Sequence, residues 1–140
     1  MKTLYSTSAT ATGGREGSAR SADGALAVTL TTPKELGGGN GGGTNPEQLF
    51  AAGYAACFLN AAKLVASHRK VQLSDDAAII ATVGIGPLDS GKGYGLSVAL
   101  QADFPGVDAE EAQAIIDAAH ETCPYSNATR GNVDVTLSLA

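Results

Sequence analysis

TNPEQLFAAGYAACFLNAAKLVASHR, residues 44–69, predicts a long helix against which the rest of the chain must pack. Asn45 is a favourable N-cap, Pro46 suits the first helical position, and Gln48 stands where a capping box places it. The residues that follow are rich in alanine and carry few charges. Because a helix that is apolar on most faces is a buried helix, we expect a buried central helix over about residues 46–67.

The residues before this helix predict a small antiparallel sheet. Residues 26–30 alternate between larger apolar and smaller or polar side chains, and Asp23-Gly24 is a strong hairpin signal just before them. We expect about three strands here, the first of them an edge strand that includes Leu4 and Tyr5.

The residues after the helix predict a second sheet and a second helix. Residues 77–88 and 96–104 indicate a hairpin, residues 108–122 an amphipathic helix, and residues 133–139 a last strand. The order of strands, helix, two strands, helix and strand predicts an α+β fold. The chain has 140 residues, which favours a single domain over residues 1–140.

Composition and charge limit the kinds of binding partner and the cellular compartment that we expect for this protein. A formal net charge of −5 without a basic run argues against binding to nucleic acid or to an anionic membrane surface. The first thirty residues contain no apolar signal core, and we find no long uninterrupted apolar span, so we expect a cytoplasmic protein. In that compartment Cys57 and Cys123, the two cysteines, are core residues, metal ligands or a redox pair.

A reactive Cys57 needs help from a cation, because it lies too far along the helix for the helix dipole to lower its pKa. Arg15 is the suggested cation, since the glycine turn TGGREG lets it approach another element. Glu47 then acts by orienting that arginine. Glu47 and Cys57 are separated by about 15 Å of helical rise. Either the helix breaks, for example at Gly53, or Glu47 comes from a second subunit. We favour the second subunit, and therefore a homodimer.

Other uses of the same residues have weaker support. His120-x-x-Cys123 has zinc-ligand spacing, but His68 is too far from Cys57 to share a metal with it. The same distance argues against a cysteine–histidine hydrolase that uses His68, while a Cys57–His120 pair stays open without local support. We expect both histidines to be solvated residues at helix ends. The glycine-rich residues 37–43 lack the Lys-Ser/Thr of a phosphate-binding loop, and we expect a flexible connection.

At these positions the sequence resembles the Ohr/OsmC family, specifically its organic hydroperoxide resistance branch. The matching motifs are TGGREG around Arg15, GTNPEQLFAAGYAACF with Glu47 and Cys57, and CPYSNATRGNVDV from Cys123. The resemblance extends over essentially the whole chain. It implies an OsmC-like fold of two small antiparallel sheets around a buried central helix, in an intertwined homodimer.

The resemblance also implies an activity, namely a thiol-dependent peroxidase that acts on organic hydroperoxides, lipid-derived ones included. In this activity Cys57 is the peroxidatic thiol, Cys123 the resolving thiol, and Arg15 with Glu47 the activating pair. The Cys57–Cys123 disulfide is recycled by a dithiol, with lipoyl-bearing proteins as the expected reductant, and no metal, flavin or haem cofactor takes part. Two alternatives stay open: an osmotically induced OsmC-type peroxidase, and a non-enzymatic binding domain with structural cysteines.

Overall fold

The predicted central helix is α1, Pro46–His68, in the computed structural model, which describes residues 1–140. The side chain of Asn45 accepts a hydrogen bond from the Gln48 N–H at 2.9 Å, which confirms the predicted N-cap. The Gln48 side chain accepts from the Thr44 hydroxyl at 2.8 Å instead of returning to the cap, so the predicted capping box is not formed. The helix continues unbroken through Gly53, and the alternative of a break there is wrong.

One face of α1 is buried, which is less than the composition predicted. The five buried side chains follow helical spacing and belong to the core of residues 50–140: Tyr54, Phe58, Ala61, Ala62 and Ala66. Leu64 on another face stays 47% exposed in the single chain. By length and composition alone α1 could cross a membrane, contrary to our expectation that no long apolar span exists. Its buried stripe instead packs in a protein core.

The chain divides into two compact units, Met1–Leu49 and Phe50–Ala140, and the first contains an antiparallel sheet. Its strands are β1 (Ala9–Thr12), β2 (Ser18–Ser21) and β3 (Ala27–Thr29), in the order β1-β2-β3. The three predicted strands are confirmed, but the first begins later than expected. Leu4 and Tyr5 are exposed and lie outside it, because β2 offers partners only as far as Ala9.

The second unit holds a mixed sheet. Strands β4 (Ala78–Pro87) and β5 (Tyr94–Asp103) form the predicted antiparallel hairpin. Strand β6 (Val135–Leu139) pairs with β5 in parallel, so the prediction of two antiparallel sheets is wrong for this one. The physical reason is the helical connection between β5 and β6, which is the kind of crossover that returns a strand in the same direction.

The connection between β5 and β6 contains two helices where the sequence predicted one. Helix α2 is Ala109–Thr122, and the Asp108 side chain caps it by accepting from the Glu111 N–H at 3.0 Å. Helix α3, Pro124–Thr129, follows after a single residue, Cys123. A proline cannot continue a helix but suits the first position of a new one, which explains both the end of α2 and the start of α3.

The core of the second unit combines the buried face of α1 with the inner faces of β4 and β5 and with α2. Ile115, Ile116 and Ala119 from α2 are at most 1% exposed. Cys123 is fully buried in the same cluster, and Cys57 is packed against it. The fold therefore ties both cysteines to one core, while the single domain over residues 1–140 stays a prediction.

Candidate functional site

The two thiols of the chain are neighbours. Cys57 lies on α1 and Cys123 at the corner between α2 and α3, and the Cys123 thiol is near enough to raise the pKa of Cys57. Both are free thiols. Cys57 is half-buried, whereas Cys123 has no exposed surface. An oxidant arriving from solvent can therefore reach Cys57 and not Cys123.

The surroundings of Cys57 within its unit favour the protonated thiol. Burial raises its pKa above the ordinary value, and the neighbouring Cys123 thiol raises it further. The backbone N–H of Tyr125 acts in the opposite direction by donating to the sulfur. No basic side chain contributes to the pKa of this thiol, so a cation is the component that a reactive Cys57 lacks here.

Arg15 stands on a short 3₁₀ turn, Gly14–Glu16, in the link between β1 and β2. The chain turns so sharply that a Cβ on Gly17 would lie 1.7 Å from the Thr12 carbonyl oxygen, and only glycine fits there. Glu16 strengthens the turn by accepting from the Thr32 N–H at 3.1 Å. The glycines of TGGREG thus allow the tight turn on which Arg15 lies.

Arg15 and Glu47 form a two-pronged ion pair in the first unit. The Nη1 atom of Arg15 donates to Oε2 of Glu47 at 2.9 Å, and Nη2 donates to Oε1 at 2.6 Å. The hydrogen bond to Arg15 lowers the pKa of Glu47, and the same bond raises the pKa of Arg15. Of the five N–H donors of a guanidinium group, two are occupied, so the pair can still bind an anionic or electron-rich atom.

A buried polar network lies beside the thiols, and the sequence did not reveal it. The Tyr54 hydroxyl is 2.9 Å from Oγ of Ser126 and 3.1 Å from Oγ1 of Thr129. Ser126 Oγ also lies 2.8 Å from Nδ1 of His120. The prediction that His120 is a solvated helix-end residue is therefore wrong, because it is half-buried and bonded. Burial, followed by the charge of Arg130, lowers its pKa.

Aromatic side chains surround the same corner. The rings of Phe50, Tyr54 and Tyr125 lie 5.6 to 6.2 Å apart, centre to centre, in tilted or edge-on contacts. A Cβ on Gly53 would lie 3.0 Å from the Tyr125 hydroxyl, so the glycine lets that ring approach α1 closely. An apolar pocket opens between Phe50, Leu96, Tyr125 and Val133.

The alternatives that use histidine gain no support from this geometry. No three His, Cys, Asp or Glu side chains are grouped so that they could hold a metal ion. His120 points its Nδ1 at a serine hydroxyl, and His68 is exposed at the end of α1, as expected.

The structure brings the four predicted site residues together as two pairs, the thiols in one unit and Arg15 with Glu47 in the other. It adds Tyr54, His120 and Ser126, which the sequence analysis had not assigned to any site. Tyr54 precedes Cys57 by less than one helical turn, and this spacing was the one feature of the sequence that could have indicated a place for Tyr54 near the thiol. Its partner Ser126 is 72 residues away, and only the fold brings the two together.

Two pairs of side chains thus characterise this α+β fold, a half-buried thiol next to a buried one and an arginine bonded to a carboxylate. The sequence pattern of the OsmC-like protein family matches residues 38–138, and the chain belongs to the organic hydroperoxide resistance branch of this family.

Individual relatives agree with this assignment. The organic hydroperoxide resistance protein of Xanthomonas axonopodis pv. citri is 58% identical over 139 residues, covering 99% of this chain and 96% of the relative. A solved organic hydroperoxide resistance protein from Legionella pneumophila superposes with a TM-score of 0.92 at 51% identity, covering 99% of both chains. OhrB of Bacillus subtilis gives 0.89 at 44% identity, covering 99% of this chain and 100% of that one.

Proposed function

We propose that this protein is a thiol-dependent peroxidase that reduces organic hydroperoxides, alkyl and lipid-derived, to alcohols. The observation that carries the proposal is the thiol pair, a half-buried Cys57 packed against the core that contains the fully buried Cys123. This arrangement suits an attacking sulfur that meets the oxidant and a second sulfur that only the first can reach. The names of the relatives support an organic hydroperoxide as the oxidant.

The reaction divides into two steps. The Cys57 thiolate attacks the outer peroxide oxygen, the O–O bond breaks, and the alkoxide takes up a proton and leaves as the alcohol. Cys57 is then a sulfenic acid. The Cys123 sulfur attacks the Cys57 sulfur, the S–O bond breaks, and the hydroxyl group leaves as water. Both electrons that reduce the peroxide come from the two thiols, which end as one disulfide.

A dithiol reductant completes the cycle by thiol–disulfide exchange. One thiol of the reductant opens the Cys57–Cys123 bond through a mixed disulfide, and its second thiol releases both cysteines. The dithiol that we propose is a lipoyl group carried by a protein. The proposal requires no metal, flavin or haem, and it places the protein in the cytoplasm.

Arg15 and Glu47 supply activation in this proposal. Cys57 needs a cation to favour its thiolate, and no basic side chain of its own unit contributes one. Arg15 carries a charge that its bond with Glu47 maintains, and it keeps free N–H donors. A dimer would allow the pair to act on Cys57 of the same chain or of a partner, and we propose a homodimer because α1 leaves apolar surface such as Leu64, 47% exposed, uncovered in one chain.

Preference for an organic peroxide has a physical basis near Cys57. Tyr125, whose N–H donates to the Cys57 sulfur, also lines the apolar pocket with Phe50 and Leu96. A hydrocarbon tail gains about 0.8 kcal/mol for each CH₂ that it buries, whereas hydrogen peroxide gains nothing in this way.

The test is peroxide consumption with dihydrolipoamide as the reductant, comparing an alkyl hydroperoxide with hydrogen peroxide. We expect turnover with the alkyl hydroperoxide, slower turnover with hydrogen peroxide, and none for Cys57→Ser. A binding domain with structural cysteines would keep two free thiols after one equivalent of hydroperoxide and would show no turnover. That result would refute the proposed function.

A further inference from the structure

We propose that the buried network of Tyr54, Ser126, His120 and Thr129 is a positioning device for disulfide formation between Cys57 and Cys123. The Tyr54 hydroxyl lies between Ser126 Oγ at 2.9 Å and Thr129 Oγ1 at 3.1 Å, and Ser126 Oγ continues to His120 Nδ1 at 2.8 Å. The inference rests on the proposed function, because it concerns the step that joins the two thiols.

The network ties together the elements that carry the cysteines. Tyr54 precedes Cys57 by three residues on α1. His120 precedes Cys123 by three residues at the end of α2, and Ser126 follows it by three residues on α3. Tyr54 and Cys57 are neighbours on the surface of α1, because residues three apart on a helix share a face. The bonds of Tyr54 to Ser126 and Thr129 therefore constrain the distance between α1 and α3, and the bond of Ser126 to His120 constrains that between α3 and α2.

The three hydroxyl groups of the network are buried and hydrogen-bonded, which makes the network sensitive to the loss of one of them. Tyr54 and Ser126 have no exposed surface, and Thr129 is 4% exposed. Every buried side-chain polar atom of the chain has a hydrogen-bond partner. Loss of the Tyr54 hydroxyl removes one hydrogen bond from Ser126, which keeps His120, and one from Thr129, which keeps the Ser126 carbonyl. Because water cannot readily enter this site, the remaining groups must shift to replace the lost bonds.

No member of the network is hydrogen-bonded to either sulfur, so its contribution is to position rather than to react. Disulfide formation requires the two free sulfurs to approach to about 2.05 Å in a narrow range of torsion angles. A small displacement of Cys123 would slow this step. The first step should change much less, because Cys123 enters it only through its effect on the pKa of Cys57.

The experiment separates the two steps. Reduced wild type, Tyr54→Phe, Ser126→Ala and Thr129→Val are mixed with one equivalent of an alkyl hydroperoxide without reductant. Sulfenic acid formation and disulfide formation are followed separately by rapid quenching and mass spectrometry. We expect the first rate to stay within about twofold and disulfide formation to slow by about tenfold or more, with more Cys57 sulfinic acid at excess peroxide.

Two controls distinguish positioning from a general loss of structure. Thr122→Val removes an exposed hydroxyl one residue before Cys123. This hydroxyl donates to the Ala118 carbonyl and is not part of the network, so the variant should form the disulfide at the wild-type rate. His120→Asn keeps a polar group that can form a hydrogen bond with Ser126. It should therefore form the disulfide faster than His120→Ala. If Tyr54→Phe and Ser126→Ala act through one network, the double variant should be no slower than the slower single variant.

Clear results would overturn the inference. If Tyr54→Phe, Ser126→Ala and Thr129→Val all form the disulfide at the wild-type rate, the network does not position the thiols. If sulfenic acid formation slows as much as disulfide formation, the network acts on Cys57 itself or on the fold. A parallel oxidation with diamide, a chemical thiol oxidant, measures the closing of the Cys57–Cys123 bond even if the wild type does not consume peroxide. Failure of the proposed function is thus distinguishable from failure of this inference.

Discussion

Both terminal nitrogens of Arg15 donate to the carboxylate of Glu47, at 2.9 and 2.6 Å, although 32 residues separate the two side chains. The Glu47 side chain is 14% exposed and that of Arg15 34% exposed, so the pair is partly shielded from water. A planar guanidinium held along one edge has a defined direction for its remaining donors. This geometry provides a test of whether direction or charge alone activates the thiol.

Replacement of Arg15 by lysine should lower activity even though the positive charge is kept. A lysine cannot bond the Glu47 carboxylate with a planar fork while it also donates to a thiolate. We expect the pKa of Cys57 to rise and the peroxidase rate at neutral pH to fall by about tenfold, since one pKa unit changes the thiolate fraction by that factor. The measurement is the pH profile of Cys57 alkylation, run beside peroxidase assays.

Two further variants control this comparison. Arg20→Lys changes an arginine of β2 in the same sheet and should leave both measurements at wild-type values. Glu47→Gln removes a negative charge and also loosens Arg15, and these changes act on the thiol pKa in opposite directions. Its loss of rate should exceed its effect on the alkylation profile. Unchanged alkylation and an unchanged rate in Arg15→Lys would show that the direction of the guanidinium is not required, and the same result in Arg15→Ala would show that another cation, such as Arg20 or Arg130, activates Cys57.

Replacement of Cys123 by serine should allow one oxidation and then stop the cycle. Without the second thiol, the Cys57 sulfenic acid has no internal partner and is oxidised further to the sulfinic acid by excess peroxide. Non-reducing mass spectrometry should show a Cys57–Cys123 link in peroxide-treated wild type and a Cys57 mass gain in the variant. Full turnover by Cys123→Ser would mean that the reductant reaches the sulfenic acid directly.

The reduced protein should be a dimer. Only one stripe of α1 is buried in a single chain, and Leu64 stays 47% exposed on a helix with few charges. We expect Leu64→Asp to weaken dimerisation because it introduces a charge on that surface. Leu88→Asp, at a position of similar exposure, 46%, at the end of β4, serves as the control. A wild type that light scattering shows to be a stable, fully active monomer would contradict a shared site.

The free energy of unfolding should depend on pH through His120. Burial and then the charge of Arg130 lower the pKa of His120 in the folded state, while Glu121 and Asp117 raise it. The unfolded chain, with a histidine pKa of about 6.5, therefore binds the proton first as the pH falls. Stability should decrease below about pH 6.5, by no more than about 1.4 kcal/mol per pH unit for one proton.

Denaturant titrations at several pH values measure this slope. His120→Asn should flatten it, because asparagine does not titrate and can still bond Ser126. His68→Asn removes the other histidine, which is exposed at the end of α1, and should retain the slope. Equal slopes in wild type and His120→Asn would assign the dependence to other groups.

Local patterns were sufficient for most elements. The N-cap Asn45, the alanine-rich run after it and the cap Asp108 act on their own neighbours, and both long helices lie within a residue or two of their predicted bounds. The β4–β5 hairpin followed from alternation and a glycine turn in the same way. Short-range hydrogen bonds and side-chain periodicity depend on residues that are close in the sequence, so they can be predicted without the tertiary structure.

Tertiary structure alone decided the direction of β6 and the surroundings of the thiols. Alternation marks residues 135–139 as a strand but carries no information about its partner, and the helical crossover makes the pairing with β5 parallel. The sequence likewise placed His120 at a helix end without showing that Ser126 would cover it. Nothing near Tyr54 in the chain indicates its partners, because Ser126 and Thr129 are 72 and 75 residues away and meet it only in the packed core.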